Sequence, residues 1–413
     1  MKVLYVSYDN PAIDTILAGM DEDKLWGLPA LYFPFKMLLE KGAEIDLLLF
    51  SPDSDKTIIE SEHFKKDNLI LKQIKRNAIF NLFYVAGQTK KQLKTKKYDF
   101  VYGMGEGTHM AVRTAAKMGV PCALRQFGTQ EMANVLETKP KGISRWIKAL
   151  KDYTYITLSM ISRKSFVLAT NDGSRADELY DILGIKKKKF DFYFWRSAVM
   201  IPKKRPEVDI DAHGNYPEGY DPLCLSMVGR ISEVKRQDRA AKILGELHKR
   251  GYPFHLYLIG YPTGNYMLDE TMKVAEEYGV KDYIHITGGQ PQAVCRKYAR
   301  NSLATLLVSE WNRVNIFYEV MGEGSVVVTN NNHSIDEFID DDENCIVYDT
   351  EAEAAERLIA LMNDKPKIEK LRRNAYNTAT EKFMTLERRF GMEAQLVIDT
   401  AAGKDTSNYK TVI

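Results

Sequence analysis

Cysteine, histidine and long apolar runs are scarce in this sequence, and each scarcity excludes a class of protein. Four cysteines in 413 residues lie far apart and form no C-x-x-C pair, which excludes a disulfide scaffold and zinc-finger spacing. Seven histidines stand singly, so we expect no metal site. No apolar run approaches the roughly 18 residues that a membrane-spanning helix needs. The sequence therefore predicts a protein of the reducing cytoplasm that is soluble or lies on a surface.

The sequence also lacks an excess of one charge, because it has 58 basic and 56 acidic residues and a net charge of +2. With 45% hydrophobic residues, this balance excludes a disordered or fibrous chain. A chain of 413 residues is longer than a domain with one hydrophobic core usually is, so the length predicts two domains. The N-terminal run MKVLYVSYDN is not followed by a cleavage-type segment, so it predicts a first strand and not a signal peptide.

Short β-branched runs alternate with helical patterns in both halves of the chain, which predicts two parallel sheets covered by helices. The segment PKKRPEVDIDAHGNYPEGYDP is rich in proline, glycine and acids and marks the boundary between them. The predicted organisation is an N-terminal domain, a linker, a C-terminal domain, a long helix and a polar tail. Their bounds are 1–203, 204–222, 223–384, 385–402 and 403–413.

The segment LSMVGRISEVKRQD places cations directly after a predicted buried strand. The strand ends near Gly229, Arg230 follows at once, and Lys235 stands five residues further on. Because ligands of open parallel sheets bind at the carboxyl ends of strands, this pair suits a diphosphate. A solvated basic loop before a helix explains the segment equally well.

The segment VSEWNRVNIFYEVMGEGSVVVTNN predicts a strand, a polar loop and a helix that contains Glu319. Free backbone N–H groups at the start of such a helix favour a phosphate, and a nearby carboxylate can accept both hydroxyls of a ribose. The alternative is that Glu319 is only a favourable charge near a helix start, and this segment alone favours that alternative.

Five segments in order make a specific resemblance: VGRISEVKRQD, FHLYLIGYPTGN, VKDYIHITGG, YEVMGEGSVVVTNN and HSIDEFIDDDENCIVY. This order resembles the retaining GT-B glycosyltransferases of family GT4 (glycosyl transferases group 1), with GR-x4-K, two glycine-ended strands and the end of E-x7-E. The similarity is strong over residues 223–350. It implies an α/β GT-B fold, in which two Rossmann-like domains face a cleft and a C-terminal helix crosses back to the N-terminal domain.

The resemblance also implies roles for single residues. Arg230 and Lys235 correspond to the clamp on the donor diphosphate, and Glu319 to the ribose-binding second glutamate. Other correspondences are weaker. The backbone at Asn315 and Ile316 would face the phosphates and the sugar, and Thr287 and Gly288 would lie near the base. Glu337 would have a structural role, and Gly27 would belong to a glycine-rich turn near the phosphates.

Two departures from the family pattern affect the expected site. The first glutamate of E-x7-E falls on Trp311, so the sugar pocket is either reshaped or uses Glu310, one residue off register. Many relatives carry a histidine before a glycine where this chain has Phe127 and Gly128. On this acceptor side, Arg125, Gln126 or Thr129 is expected to supply polar contacts instead.

The stretch GMGEGTH, from Gly103 to His109, does not fit a dinucleotide-binding turn. Its spacing is GxGxG and not GxGxxG, and no acid ends the next strand. We expect a tight turn, with Thr108 as the helix N-cap and His109 as either a helix-start residue or a ligand.

Two basic stretches are interrupted by apolar residues. Residues 65–97 carry ten lysines or arginines and one acid, and KPKGISRWIKALKDY follows the same pattern. Such stretches suit an anionic membrane surface or, equally, a solvated helical face. Nucleic acid is not expected, because no DNA- or RNA-binding motif accompanies the charge.

The resemblance implies a retaining, metal-independent hexosyltransferase that needs no cofactor. Its donor is expected to be an NDP-sugar, most simply UDP-linked, and its acceptor a glycan or lipid-linked molecule of bacterial envelope or exopolysaccharide synthesis. The expected location is the cytoplasm or the inner face of the membrane. The alternatives are a non-catalytic nucleotide-sugar-binding partner subunit and a GT-B epimerase or phosphorylase.

Overall fold

The chain forms two compact units. A computed structural model describes residues 1–20, 25, 29–62, 64–74, 78–127, 129–171, 175–185, 190–207, 223–309, 314–331 and 338–411. Unit 1 comprises Met1–Glu22, Trp26–Ser197 and Leu386–Ile413, and unit 2 comprises Asp23–Leu25 and Ala198–Thr385. Most of the predicted linker, from residue 208 to residue 222, lies outside the described residues.

Each unit is built on a parallel sheet. Within the described residues, the seven strands of the unit 1 sheet are β1 (Lys2–Tyr8), β2 (Glu44–Ser51), β3 (Leu69–Gln73), β4 (Phe100–Met104), β5 (Cys122–Gln126), β6 (Phe166–Asn171) and β7 (Asp191–Arg196). The strands described in unit 2 are β8 (Ala198–Val199), β9 (Cys224–Val228), β10 (His255–Ile259), β11 (Ile284–Gly288), β12 (Ala304–Leu307), β13 (Val327–Asn330), β14 (Ile346–Tyr348) and β15 (Met384–Thr385).

The two large sheets share one strand order. Unit 1 runs β3-β2-β1-β4-β5-β6-β7 and unit 2 runs β11-β10-β9-β12-β13-β14, while β8 and β15 pair separately. In each sheet the order reverses direction beside the first strand, between β1 and β4 or between β9 and β12. This reversal is the topological switch point at which open parallel sheets bind ligands. The predicted class, two parallel-sheet α/β domains, is confirmed.

Helices cover the sheets. Those described before residue 200 are α1 (Pro11–Leu17), α2 (Pro29–Glu40), α3 (Ala78–Thr95), α4 (His109–Lys117), α5 (Gln130–Glu137), α6 (Ile143–Asp152), α7 (Thr154–Ile161) and α8 (Ala176–Ile182). Those described after it are α9 (Gln237–Lys249), α10 (Tyr266–Glu277), α11 (Gln292–Asn301), α12 (Val314–Gly322), α13 (Glu351–Met362), α14 (Lys365–Lys382) and α15 (Leu386–Ala401).

Local sequence explains where the elements start and stop. The apolar run of β1 is buried along its length, as expected of a strand covered on both faces. Asn10 caps α1 by accepting from the N–H of Ala12 at 3.1 Å, and Pro11 occupies the first helical position. The helices α2 and α4 are each followed by a left-handed glycine, since Gly42 and Gly119 both have φ of +77°.

A buried ionic cluster joins α15 to the sheet of unit 1. Glu393 is fully buried and accepts hydrogen bonds from Arg125 on β5, from Tyr102 on β4 and, at 2.9 Å, from Arg389. Arg125 also donates to the hydroxyl of Thr170 at 3.1 Å. The helix is therefore part of the unit 1 interior.

The residues after α15 pack on β7. The indole of Trp195 donates to the carbonyl of Tyr409 at 2.9 Å, and the Tyr193 hydroxyl donates to Thr406 at 2.8 Å. Lys410 pairs with Asp191 at 2.7 Å. The predicted polar tail thus makes specific contacts up to residue 410.

Candidate functional site

The carboxyl end of β9 lies beside the switch point of unit 2 and carries the predicted cations. The backbone there is tied to the next strand, because Gly229 donates to the Ile259 carbonyl and Ile231 to the Tyr261 carbonyl, each at 2.9 Å. Arg230, between these two bonds, is exposed, and no carboxylate of the described chain pairs with it. A fixed backbone thus presents a guanidinium whose charge is available to an anion.

Glycines allow the strand ends to meet this closely. A Cβ at Gly260 would lie 2.1 Å from the Gly229 carbonyl oxygen, and one at Gly289 would lie 1.8 Å from the Tyr261 ring. A Cβ at Gly229 would lie 3.6 Å from Cε of Lys235, so the stem of this lysine crosses the end of β9. Small residues are therefore required along the edge formed by β9, β10 and β11.

Gln237, which the sequence analysis did not single out, fixes the loop that carries the two cations. Its side chain is 1% exposed, donates to the Arg230 carbonyl at 3.0 Å and accepts from the N–H of Ser232 at 3.2 Å. The helix α9 then starts after Arg236, whose φ is +57°. The sequence carries no local signal of this role, because only the fold shows that the Gln237 amide is buried and needs partners.

Glu319 lies on α12, which follows β12 across the switch point. The residue is half-buried, and burial of its carboxyl raises the pKa to about 7; the nearby Arg296 charge opposes this shift and Glu323 adds to it. Glu323 is fully buried and pairs with Arg300 at 2.5 Å and with Arg296 at 3.3 Å. This ionic pair orients the helix that carries Glu319. The sequence signal for this ionic pairing was a set of two glutamates four residues apart and, earlier in the chain, two arginines four residues apart.

The other predicted donor residues are partly described. Thr287 and Gly288 lie at the carboxyl end of β11, and Gly288 bridges Gly260. Ile316 is half-buried in α12, and Asn315 lies in the first turn of that helix. The remaining predicted residues of this set lie outside the described residues: Gly27, Glu310, Trp311 and Glu337.

The predicted acceptor-side residues lie at the end of β5 in unit 1. Arg125 is 1% exposed and bound to Glu393, so its side chain is internal and we assign it a structural role instead of an acceptor contact. Gln126 and Thr129 are also buried, and the Gln126 amide oxygen accepts from Tyr180 at 3.3 Å. Phe127 is half-buried, and Gly128 lies outside the described residues.

The GMGEGTH stretch forms the predicted tight turn. A Cβ at Gly103 would lie 2.4 Å from the Thr108 hydroxyl, and one at Gly107 would lie 2.7 Å from the Tyr8 ring. Thr108 occupies the N-cap position of α4 as predicted, but its side chain makes no capping bond to the helix, and its hydroxyl donates instead to the Gly105 carbonyl at 2.7 Å. His109 is buried, and Nδ1 of its ring lies 2.8 Å from the Glu106 carbonyl.

Across the described residues, no three His, Cys, Asp or Glu side chains converge as metal ligands would. Three cysteines are buried and Cys295 is half-buried, all as free thiols. No described helix is both long and apolar enough to cross a membrane.

Similarity to known proteins agrees with this architecture. Residues 212–378 match the family described as glycosyl transferases group 1. No curated protein shows significant sequence similarity to the chain.

Solved structures match the chain over almost its whole length. Sucrose-phosphate synthase from Thermosynechococcus elongatus has a TM-score of 0.64 at 12% identity, over 98% of this chain and 100% of that one. HepE of Anabaena in complex with UDP-glucose has a TM-score of 0.62 at 12% identity, over 97% and 100%. WaaG, a glycosyltransferase involved in lipopolysaccharide biosynthesis, has a TM-score of 0.58 at 15% identity, over 96% and 99%. The GT-B fold expected from the sequence is confirmed.

Proposed function

We propose that the chain is a glycosyltransferase that moves a sugar from a UDP-sugar to a glycan or lipid-linked acceptor. The observation that carries the proposal is the pair Arg230 and Lys235 on a fixed loop beside the switch point of unit 2. Each charge-assisted bond from such a cation to a phosphate contributes about 1.5 to 3 kcal/mol. The match of residues 212–378 to glycosyl transferases group 1 supports the transfer of a sugar.

The proposed reaction retains the anomeric configuration. The bond between the anomeric carbon and the diphosphate oxygen breaks, and the acceptor oxygen forms its bond to that carbon on the same face. The acceptor proton passes to the departing diphosphate oxygen. Arg230 and Lys235 stabilise the negative charge that grows on the diphosphate, which is electrostatic catalysis at the leaving group and, in our proposal, requires no metal ion.

The nucleotide is proposed to be held from both sides of the switch point. The cations follow β9, and α12, which carries Glu319, follows β12. In our proposal the Glu319 carboxylate accepts hydroxyls of the ribose. The complex of HepE with UDP-glucose supports a uridine donor. Which sugar is transferred depends on how Glu310 and Trp311 shape the pocket.

A thermal-shift screen of UDP, UDP-glucose, UDP-GlcNAc and GDP-mannose tests the donor. A UDP-sugar at about 100 times its Kd adds about 2.7 kcal/mol to the free energy of unfolding and raises the melting temperature. Arg230→Ala should lose most of this shift, whereas Lys273→Ala, an exposed lysine on α10, should keep it. If no nucleotide shifts the wild-type chain, the proposed function is wrong.

A non-catalytic, nucleotide-sugar-binding partner subunit is the second candidate. It is favoured by Trp311 and Phe127, which stand where the family usually carries polar groups. Donor hydrolysis and transfer to acceptor extracts separate the two candidates. Binding of UDP-sugars without either reaction would favour the partner subunit.

We further propose that α6 lies on an anionic membrane. Its residues Ile143, Ile147 and Leu150 are 79%, 61% and 44% exposed and follow helical spacing, with Lys151 exposed beside them. The other basic stretch, residues 65–97, contains the sheet strand β3 as well as α3, so it is not one continuous surface helix. Flotation with anionic vesicles at low salt tests the proposal. Ile147→Asp should reduce binding, and no flotation of the wild-type chain would contradict it.

A further inference from the structure

Unit 1 contains a cavity at the amino-terminal edge of its sheet. The cavity has a volume of about 710 Å³, which is within the range of small-molecule sites. Part of its wall comes from the residues that directly precede β6 and β7. Because open parallel sheets bind their substrates at the carboxyl ends of the strands, this cavity is separate from the acceptor-side residues after β5.

The wall of the cavity is mainly apolar and is held in place from behind. Its apolar side chains are those of Trp146, Met160, Ile161, Ile185 and Phe190. Lys164, which is 5% exposed, donates to the Ser159 carbonyl at 2.6 Å and to the Met160 carbonyl at 3.1 Å. Its ammonium also lies 4.3 Å from the centre of the Phe190 ring. The cavity is therefore preformed, and an apolar ligand can fill it at little cost in ordering the protein.

The apolar wall is continuous with the exposed apolar face of α6. Trp146 lies three residues after Ile143 and four before Leu150, so these side chains are neighbours along one side of the helix. Ile143 and Leu150 are 79% and 44% exposed, and Ile161 in the wall is 52% exposed. An alkyl chain can thus contact apolar side chains both on the surface of α6 and inside the cavity.

The charge at the cavity selects the kind of amphiphile. Among the described residues that line it, Arg163 is the only charged one; it is exposed, and no carboxylate of the described chain pairs with it. A guanidinium binds a phosphate or carboxylate through charge-assisted hydrogen bonds. An apolar wall with one available cation therefore suits a molecule that has a long alkyl chain and an anionic group.

We infer that this cavity binds one acyl chain of an anionic membrane phospholipid, whose phosphate is held by Arg163. The inference rests on the proposed attachment of α6 to an anionic membrane and is independent of sugar transfer. It adds a defined lipid site to a helix that would otherwise only adsorb at the surface. Each methylene that enters the cavity should raise the affinity about fourfold.

Monomeric lysophosphatidic acid with a brominated acyl chain tests the site on the full chain without a membrane. Bromine quenches tryptophan on contact, so quenching should saturate at one lipid per protein and disappear in Trp146→Phe. Arg163→Ala should weaken binding about tenfold, the value of a lost charge-assisted bond. Ile161→Asp, which places a carboxylate in the apolar wall, should weaken it at least as much.

Two matched substitutions outside the cavity lining are the controls. Ile147→Asp, on the exposed face of α6, and Arg113→Ala, an exposed arginine of α4, should both bind lysophosphatidic acid as the wild type does. Melting curves verify that each variant is folded. Unchanged binding in Arg163→Ala and Ile161→Asp, or no saturable quenching in the wild type, overturns the inference. A wild-type dimer that Ile161→Asp dissociates would also overturn it, because the cavity would then hold a second copy of the chain.

Vesicles of phosphatidylglycerol with brominated chains test the membrane as the source of the lipid. We expect the wild type to float with these vesicles and Trp146 to be quenched. Flotation without this quenching overturns the inference but leaves the attachment of α6 intact, whereas absence of flotation contradicts the attachment and the membrane source together. A chain that binds the lipid but no nucleotide contradicts only the proposed glycosyltransferase.

Discussion

The two sheets of this protein have the same strand order but carry opposite chemistry at their carboxyl edges. In unit 2, Arg230 and Lys235 follow β9 and provide positive charge. In unit 1, Glu106 follows β4, and its carboxyl accepts the N–H of Phe127 after β5. The fold determines where a ligand binds, and the few residues after each strand determine which ligand it is.

The largest expected difference between the units is in stability. Glu393→Gln removes the carboxylate that neutralises Arg125 and Arg389 inside unit 1, so the free energy of unfolding should fall by about 3 to 5 kcal/mol. Urea denaturation measures this change. The exposed Glu387, on the same helix, is the control, and its glutamine variant should remain within about 0.5 kcal/mol. Equal stability of both variants would show that the buried cluster contributes little.

Lys235→Ala tests the charged edge through catalysis. Turnover with a UDP-sugar should fall at least about a hundredfold, because the variant loses one of the two cations that stabilise the leaving diphosphate. The measurement is release of UDP under saturating donor, with Lys273→Ala as the control. Wild-type turnover in Lys235→Ala would contradict a catalytic role of this edge.

Gly260→Ala tests whether the charged edge depends on close backbone contact. The added Cβ would lie 2.1 Å from the Gly229 carbonyl oxygen and would displace the loop that holds Arg230. We expect UDP affinity to fall because this loop moves, and the free energy of unfolding to fall by about 1 to 3 kcal/mol, the usual cost of overpacking. Isothermal titration measures the affinity. Gly87→Ala on α3, where a Cβ meets no atom within 4 Å, should leave it unchanged.

The buried carboxyls at the two edges should make stability depend on pH in the same direction. This effect is expected to be smaller than the effects of the substitutions above. Burial raises the pKa of Glu106 and of Glu319 to about 7 from the ordinary 4.5, so the folded chain holds protons that the unfolded chain releases. The resulting stability is fully present below about pH 4.5 and is lost as the pH rises to about 7. Replacing either carboxyl by glutamine should make this fall shallower, on the order of 1 kcal/mol. Urea denaturation at several pH values measures the slope; a Glu319→Gln slope equal to that of the wild type contradicts the burial of this carboxyl.

The sequence was sufficient for the fold and for the position of Arg230 and Lys235 directly after a strand of the second sheet. Glycine-ended apolar runs followed by helical patterns predicted both parallel sheets, and the cations after Gly229 lie at the strand end as expected. These features are local, because strand periodicity and the residues that follow a strand are read within about ten positions.

The contacts that depend on distant residues were not predictable from the sequence. Arg125 was expected to contact the acceptor because it lies beside the position where many relatives carry a histidine, but its partner Glu393 lies 268 residues away. Gln237 and Glu106 were missed for the same reason, since their importance follows from burial and from which backbone group each one binds. Periodicity carries no information on pairing between remote segments.

Glu393 belongs to unit 1 but follows unit 2 in the chain, and this order has a consequence for synthesis on the ribosome. Domains generally fold in order from the N-terminus as the nascent chain emerges. Here the first two hundred residues emerge with Arg125 uncompensated, and all of unit 2 is made before α15 can supply the carboxylate. The N-terminal unit therefore begins to form first, but its interior is completed only after unit 2 has been made.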